Sequence, residues 1–264
     1  MTTTASLRAR VLAGETVFGT FTVSASPLIL EVVARSGLDW VLIDLEHGTA
    51  RESDLLGLLM AVGRHVPAIV RVESGERIRV GRALDLGADG VMVPQVHGAD
   101  QARRVARWMR AQPGGERGVA LFTRGMRYGD VGHDGVADRH ADLLSVVQIE
   151  SRAALDEVEA IADVDGVDVL FVGPTDLSHA LGIPGRLEDR AFGSALARIG
   201  RAARDAGKAA GALARVPEDV GRYAAEGFTV LGIASEAAIL DRALRSTLDS
   251  ARRASPAAPY PEGP

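Results

Sequence analysis

The sequence predicts an α/β protein built as a closed parallel barrel of the (β/α)8, or TIM barrel, type. Short apolar runs alternate eight times with segments of helical periodicity. The runs are apolar along their length, as strands buried on both faces of a parallel sheet must be. Gly37, Gly87, Gly166, Gly207 and Gly227 follow helical segments, where a left-handed residue ends a helix, and an apolar run resumes soon after each. A chain of 264 residues suits one such barrel or two smaller domains, and eight units favour one.

The elements follow in order. Strand 17–23 leads to helix 27–36, which Gly37 ends. Strand 40–45 leads to helix 52–64. Strand 68–72 leads to helix 76–86, ended by Gly87. Strand 90–93, closed by Pro94, leads to helix 100–110, where Arg103, Arg104, Arg107 and Arg110 among Ala and Val read as a solvated face. The segment 114–142 fits no βα unit and reads as a long loop or lid. Strand 146–150 leads to helix 152–162, with apolar residues at Ala154, Leu155, Val158 and Ile161. Strand 169–172 leads through the turn Gly173-Pro174-Thr175-Asp176 to helix 187–206. Strand 209–214 leads to helix 217–226, and strand 229–234 to helix 236–252. The barrel domain is expected over 1–252, and 253–264 as a loose proline-rich tail.

Composition excludes several functions. A net charge of −5 gives no electrostatic footprint for nucleic acid or an anionic membrane. The absence of cysteine removes disulfides, thiolate metal sites and a cysteine nucleophile. No apolar run reaches membrane-spanning length and the N-terminus lacks a signal-peptide core, so a cytoplasmic protein is expected.

In a parallel barrel the residues just after each strand line one pocket. Glu150 and Asp176 end adjacent strands. Alone, each reads more readily as a helix cap or Asx turn. As a pair they point to a shared divalent cation, and hard oxygen ligands suit Mg²⁺ or Mn²⁺. Gln148 shares a strand face with Glu150. His47, in Asp44-Leu45-Glu46-His47-Gly48, is the candidate general base, because imidazole titrates nearest neutrality. Asp44 and Glu46 would orient its ring or support the metal. Arg71, in an apolar strand, requires an anionic partner: Glu150, Glu46 or Glu73 in a salt bridge, or a developing oxyanion. Gln95, just past the fourth strand, is expected to face the pocket, and the backbone N–H groups of Gly173–Asp176 suit a carboxylate. Arg124, Arg127 and Tyr128 lie on the irregular segment, in solvent or against a second anionic group of a substrate.

Lys208, the sole lysine, precedes the seventh strand, at the wrong end of the barrel for a Schiff base. One cation, one arginine and one histidine instead suit Lewis-acid activation of a 2-oxo acid, with arginine at the enolate oxygen and histidine moving the proton.

At these residues the sequence resembles a known family. Asp44-Leu45-Glu46-His47-Gly48, Leu84-Asp85-x-Gly87, Val93-Pro94, Arg117-Gly118-Val119, Arg124-x-x-Arg127-Tyr128-Gly129, Gln148-Ile149-Glu150 and Gly173-Pro174-Thr175-Asp176-Leu177-Ser178 look like the metal-dependent (class II) pyruvate aldolases of the HpcH/HpaI type. These are typified by 4-hydroxy-2-oxoheptanedioate aldolase and 2-dehydro-3-deoxyglucarate aldolase, and the resemblance spans residues 18–240. It implies a barrel of the phosphoenolpyruvate/pyruvate-domain type that reversibly cleaves a 4-hydroxy-2-oxo acid into pyruvate, or a close analogue, and an aldehyde. Glu150 and Asp176 would ligate Mg²⁺, Mn²⁺ or Co²⁺. His47 would accept the proton and Arg71 would stabilise the transition state. Gln148, Gly173, Pro174, Thr175, Asp176 and Arg124 would bind substrate. Asp85 would tune the histidine from a neighbouring subunit. A hexamer, a trimer of dimers with an exchanged C-terminal helix, is implied. Thr49, where the family often has proline, and Glu236, where it often has aspartate, depart from the pattern near the aldehyde side. Two alternatives remain at this stage: a lyase for coenzyme-A thioesters of the malyl or citramalyl type, and a non-catalytic barrel that binds a metal and a carboxylate.

Overall fold

The apolar runs become eight strands in a computed structural model that describes residues 5–255. They are β1 (Val17–Thr22), β2 (Trp40–Asp44), β3 (Ala68–Arg71), β4 (Gly90–Val93), β5 (Leu144–Ile149), β6 (Val169–Val172), β7 (Ala209–Ala214) and β8 (Phe228–Ser235). All pair in parallel in chain order, and β8 returns to β1 to close the barrel. The helices are α1 (Leu7–Leu12), α2 (Pro27–Ala34), α3 (Glu52–Val62), α4 (Arg77–Asp85), α5 (Ala99–Trp108), α6 (Val136–Ala141), α7 (Arg152–Asp156), α8 (Val158–Ala162), α9 (Pro174–Ala180), α10 (Arg190–Asp205), α11 (Val220–Ala225) and α12 (Glu236–Ala254). The five glycines predicted to end helices all have positive φ.

Strand periodicity sorts the side chains into two cores. Phe21, Trp40, Leu42, Ile69, Met92, Val146 and Phe171 fill the lumen. Their neighbours Val41, Ile43, Val70, Val91 and Val147 face outward against the helices. Each such side chain, fully buried, contributes roughly 1.5–3 kcal/mol. The bulk of Trp40 requires glycine opposite it, since a Cβ on Gly19 would lie 2.1 Å from the indole. The same alternation continues upward from the apolar layers, so Asp44, Arg71 and Gln148 follow Leu42, Ile69 and Val146 on the lumen side.

The structure adds elements that periodicity does not reveal. α1 contributes Leu7 and Val11 to the lumen cluster. Arg8 ties α1 to the buried Asp168, with Nε 3.0 Å from both carboxylate oxygens. The expected turn at 173–176 opens a helix, α9, with Pro174 at its first position, where a missing N–H costs nothing. The expected helix 152–162 is two helices that meet at Glu157 (φ −101°, ψ 15°). The Glu157 carboxylate accepts the Ala99 N–H at 2.9 Å, at the start of α5. The 114–142 segment is not a bare loop: it holds a 3₁₀ stretch at Arg124–Gly129 and α6. α12 runs two residues into the expected tail, to Ala254, and 256–264 lie outside the described residues.

Candidate active site

Asp44 ends β2 and Arg71 ends β3, and the two are register partners. Arg71 donates from Nε to Asp44 Oδ1 at 2.9 Å and from Nη2 to Oδ2 at 2.6 Å. This two-point pairing fixes the guanidinium plane. Nη1 lies 3.1 Å from Glu46 Oε2 and 3.4 Å from Gln148 Oε1. Beneath it, the guanidinium carbon stands 5.3 Å from the centre of the Phe21 ring, within cation–π range. The arginine is therefore held on three sides. Its partners are Asp44 and Glu46; Glu73 lies near Arg79 instead, at 3.7 Å.

Asp44 also organises the loop after its strand. Its Oδ1 accepts the backbone N–H groups of Glu46 at 3.0 Å and His47 at 3.2 Å. His47 Nε2 lies 3.8 Å from Glu46 Oε2, and the imidazole is 64% exposed at the mouth. Asp44 thus positions the His47 backbone and leaves the ring to Glu46.

Glu150 is buried. Its Oε1 accepts the Gln95 N–H at 2.7 Å, and its Oε2 accepts from Gln148 Nε2 at 2.8 Å. It does not cap α7; Ser151 does, accepting the Ala154 N–H at 3.1 Å. Burial pushes the Glu150 carboxyl up to about 7, with further pressure from the negative charges of Glu46 and Asp176. Burial also raises Glu46, against the pull of Arg71. Asp176 sits in the first turn of α9 with Gly173, not Asp176, as N-cap. Asp44, Glu46 and Glu150 thus act on the one guanidinium of Arg71, and Asp176 adds negative charge beside Glu46 and Glu150, an excess that a divalent cation would relieve. The donors are all oxygen, which suits a hard cation. Among the described residues no three His, Cys, Asp or Glu side chains converge as a complete ligand set. A carboxylate pair leaves coordination positions for a substrate.

Gly173 borders the same carboxylate, since a Cβ there would lie 2.7 Å from Glu150 Oε2 and 3.3 Å from Gln148 Nε2. Pro174 is buried beside it, and Thr175 and Asp176 are exposed on the helix start. Thr49 and Glu236 meet on one turn. Thr49 Oγ1 accepts the Ala25 N–H at 3.1 Å, and the Glu236 carboxylate accepts those of Val23 (2.9 and 3.0 Å) and Ser24 (2.7 Å).

Two predicted residues stand apart from this cluster. Arg124 is not free for a substrate anion: its Nη1 and Nη2 donate to the carbonyls of Leu86 at 3.1 Å and Leu59 at 3.2 Å. The Leu86 carbonyl lies at the C-cap of α4, where intrahelical donors run out, and the Leu59 carbonyl, in the last turn of α3, accepts Arg124 alongside the Gly63 N–H at 3.2 Å. Asp85, the last residue of α4, pairs with Arg117 Nη2 at 2.9 Å. It lines a cavity of about 290 Å³ with Arg77 and Trp108 on the barrel flank. Two features of the site lie outside the sequence-based expectations: Phe21 against the guanidinium, and Asp44 as the partner of Arg71. Phe21 gave no signal beyond an apolar strand position. Asp44 had one, being the last residue of the strand next to Arg71.

A parallel barrel whose mouth gathers a braced arginine, an exposed histidine and a buried, under-neutralised glutamate has the layout of an enzyme active site. Lys208 lies at the opposite end, just before β7. The chain belongs to the HpcH/HpaI aldolase/citrate lyase family, whose model matches residues 17–243. It is an aldolase, a carbon–carbon lyase. It is 37% identical to a hydroxypyruvate/pyruvate aldolase of Paraburkholderia phytofirmans, covering 95% of this chain and 99% of that one. It is 35% identical to a 5-keto-4-deoxy-D-glucarate aldolase of Klebsiella pneumoniae, over 93% and 96% of the two chains. The crystal structure of an HpcH/HpaI aldolase/citrate lyase family protein from Burkholderia cenocepacia superposes with a TM-score of 0.88 at 34% identity, covering 94% of this chain and all of that one.

Proposed function

We propose that this aldolase reversibly cleaves a 4-hydroxy-2-oxo acid into pyruvate, or a close 2-oxo acid, and an aldehyde, with a divalent cation held by Glu150 and Asp176. The observation that carries the reading is the buried Glu150, with one donor on each carboxylate oxygen and the negative charges of Glu46 and Asp176 acting on it. A cation there would relieve that repulsion and would supply Lewis-acid polarisation of the ketone of a 2-oxo acid. Mg²⁺ and Mn²⁺ fit the oxygen donors, and Co²⁺ is a usable substitute.

This chain's residues do the rest. Arg71 offers N–H groups to the oxygen that gains charge as the carbon–carbon bond breaks. Its bonds to Asp44 fix its direction beforehand, so little reorganisation is needed at the moment of reaction. His47 accepts the proton of the 4-hydroxyl as the C3–C4 bond breaks and the aldehyde departs, the enolate then takes a proton at C3 to leave as pyruvate, and condensation reverses both transfers. Gln148 and the free first-turn amides of α9 bind the oxo acid, with Gly173 keeping the approach clear. Asp85 acts from a neighbouring subunit, since its own mouth is out of reach. The hexamer implied by the family likeness has a covering surface to use in α12: only Glu236 in it is buried, and Ile239, Leu240, Leu244 and Leu248 stand exposed. An exchange of this helix between partners would cover them. Cytoplasmic location accords with the cysteine-free composition. A coenzyme-A thioester lyase is the weaker reading, because the relatives at 35–37% identity are named aldolases.

The test is a retro-aldol screen over several 4-hydroxy-2-oxo acids with Mn²⁺ present, coupled to pyruvate release. Activity should vanish with a chelator and return with Mn²⁺ or Mg²⁺. Full activity after exhaustive chelation would overturn the reading.

A further inference from the structure

We infer that Gln95 is a positioning residue for Glu150 that acts through its backbone amide, not its side chain. The inference rests on the reading of Glu150 as a cation ligand. β4 ends at Val93, Pro94 follows with no N–H to give, and Gln95 then adopts φ +53°. For a residue with a Cβ this left-handed backbone is unfavourable, and it persists only where the surroundings hold it. Here its amide meets Glu150 Oε1 at 2.7 Å. Four non-glycine residues among those described have positive φ: Gln95, Arg127, Tyr128 and Ala234. Of these, Gln95 is the one whose amide is bonded to a carboxylate of the mouth. Its side chain is exposed.

The other carboxylate oxygen, Oε2, is fixed at 2.8 Å by Gln148, whose Oε1 lies 3.4 Å from Arg71 Nη1. Glu150 is therefore gripped from both sides, by the turn after β4 and by its own strand. Each carboxylate oxygen has room for two partners, so one donor apiece leaves one site apiece for a cation. A glutamate has three side-chain torsions to immobilise, and the strained turn does part of that work before any ligand arrives.

The experiment is calorimetric titration of Mn²⁺ into the full-length protein, its Glu150→Gln variant, and variants at position 95. Gln95→Gly keeps the amide and removes the steric objection to positive φ, so its Kd should stay within about threefold of the parent. Gln95→Val, β-branched and resistant to positive φ, should raise the Mn²⁺ Kd by about tenfold or more. Its Mn²⁺ activation constant should rise in parallel, while kcat at saturating Mn²⁺ changes far less. Gln95→Thr carries the test if the valine variant does not fold. Parental affinity in the β-branched variants, or equal weakening by Gly and Val, would overturn the inference while leaving the cation reading intact. No Mn²⁺ binding by the parent, or undiminished binding by Glu150→Gln, would overturn both.

Discussion

Asp44 and Arg71 sit side by side across β2 and β3, and the carboxylate holds the guanidinium by two bonds, at 2.6 and 2.9 Å. Both side chains are nearly sealed from solvent, so the pair is worth little if removed whole and much if broken. Asp44→Asn leaves a buried guanidinium half-matched and should cost roughly 3 kcal/mol of stability, read as a lowered urea midpoint. Arg71→Lys keeps the charge but cannot bridge Asp44, Glu46 and Gln148 from one rigid plane. Its kcat for retro-aldol cleavage should fall by about 10²–10³, as when one oxyanion donor is lost. A lysine variant with parental kcat would show that geometry at this position is immaterial.

The metal-free protein should lose stability as pH rises through neutrality. Burial first, then Glu46 and Asp176, lift the folded Glu150 carboxyl to about 7 from the ordinary value of 4.5. Folding therefore favours protonated Glu150. The associated stability is fully present below the unfolded value of 4.5 and is lost as pH climbs through about 7. The whole effect is on the order of 3 kcal/mol. Thermal melts of chelated protein between about pH 5 and pH 8 should fall more steeply for the parent than for Glu150→Gln. Added Mn²⁺ should restore most of the parent's loss at the upper end. Parallel slopes for the two proteins would contradict this account.

The barrel was legible because strands buried on both faces must be apolar throughout, and helices ended by glycine announce where each strand begins. The top layer of the site was legible by the same logic. A polar residue two places beyond a lumen-facing apolar one, as in Val146 and Gln148, must point into the mouth. What the sequence withheld has specific causes. The six residues of α1 are too few to display a helical period. The short helices inside 114–142 are broken by Gly125, Gly129, Gly132 and Gly135. Residue type does not disclose the left-handed turn at Gln95, since glutamine carries no preference for it. Arg71 could be seen to need an anion, but choosing Asp44 over three glutamates depends on the β2–β3 register.

Gly173 should be intolerant of even one methyl group. Its backbone, φ −85° and ψ 97°, suits alanine, so the fold has no objection. The obstacle is the carboxylate: an added Cβ would stand 2.7 Å from Glu150 Oε2. Glu150 must then swing away, and it takes its bond to Gln148 with it. Gly173→Ala should weaken Mn²⁺ binding by about tenfold or more while changing global stability by less than about 1 kcal/mol. Calorimetry and a denaturation curve on the same preparation separate the two effects. Parental Mn²⁺ affinity would mean that Glu150 has slack that its bonds do not suggest.

Arg124 gives the converse case, a residue whose motif suggests substrate and whose bonds suggest structure. Its two terminal nitrogens serve the carbonyls of Leu59 and Leu86, joining the ends of α3 and α4. A cation at two helix C-termini also interacts favourably with both dipoles. Gly87 leaves room for it, because a Cβ there would lie 2.5 Å from Arg124 Nη1. Arg124→Ala should therefore cost about 2 kcal/mol, from two charge-assisted bonds partly replaced by water. For a chain of this size that is a fall of roughly 4–8 °C in Tm. KM for the oxo acid should stay within about twofold of the parent, since the lost contacts are to helix ends. A large rise in KM with little change in Tm would return Arg124 to the substrate, reached across a subunit boundary.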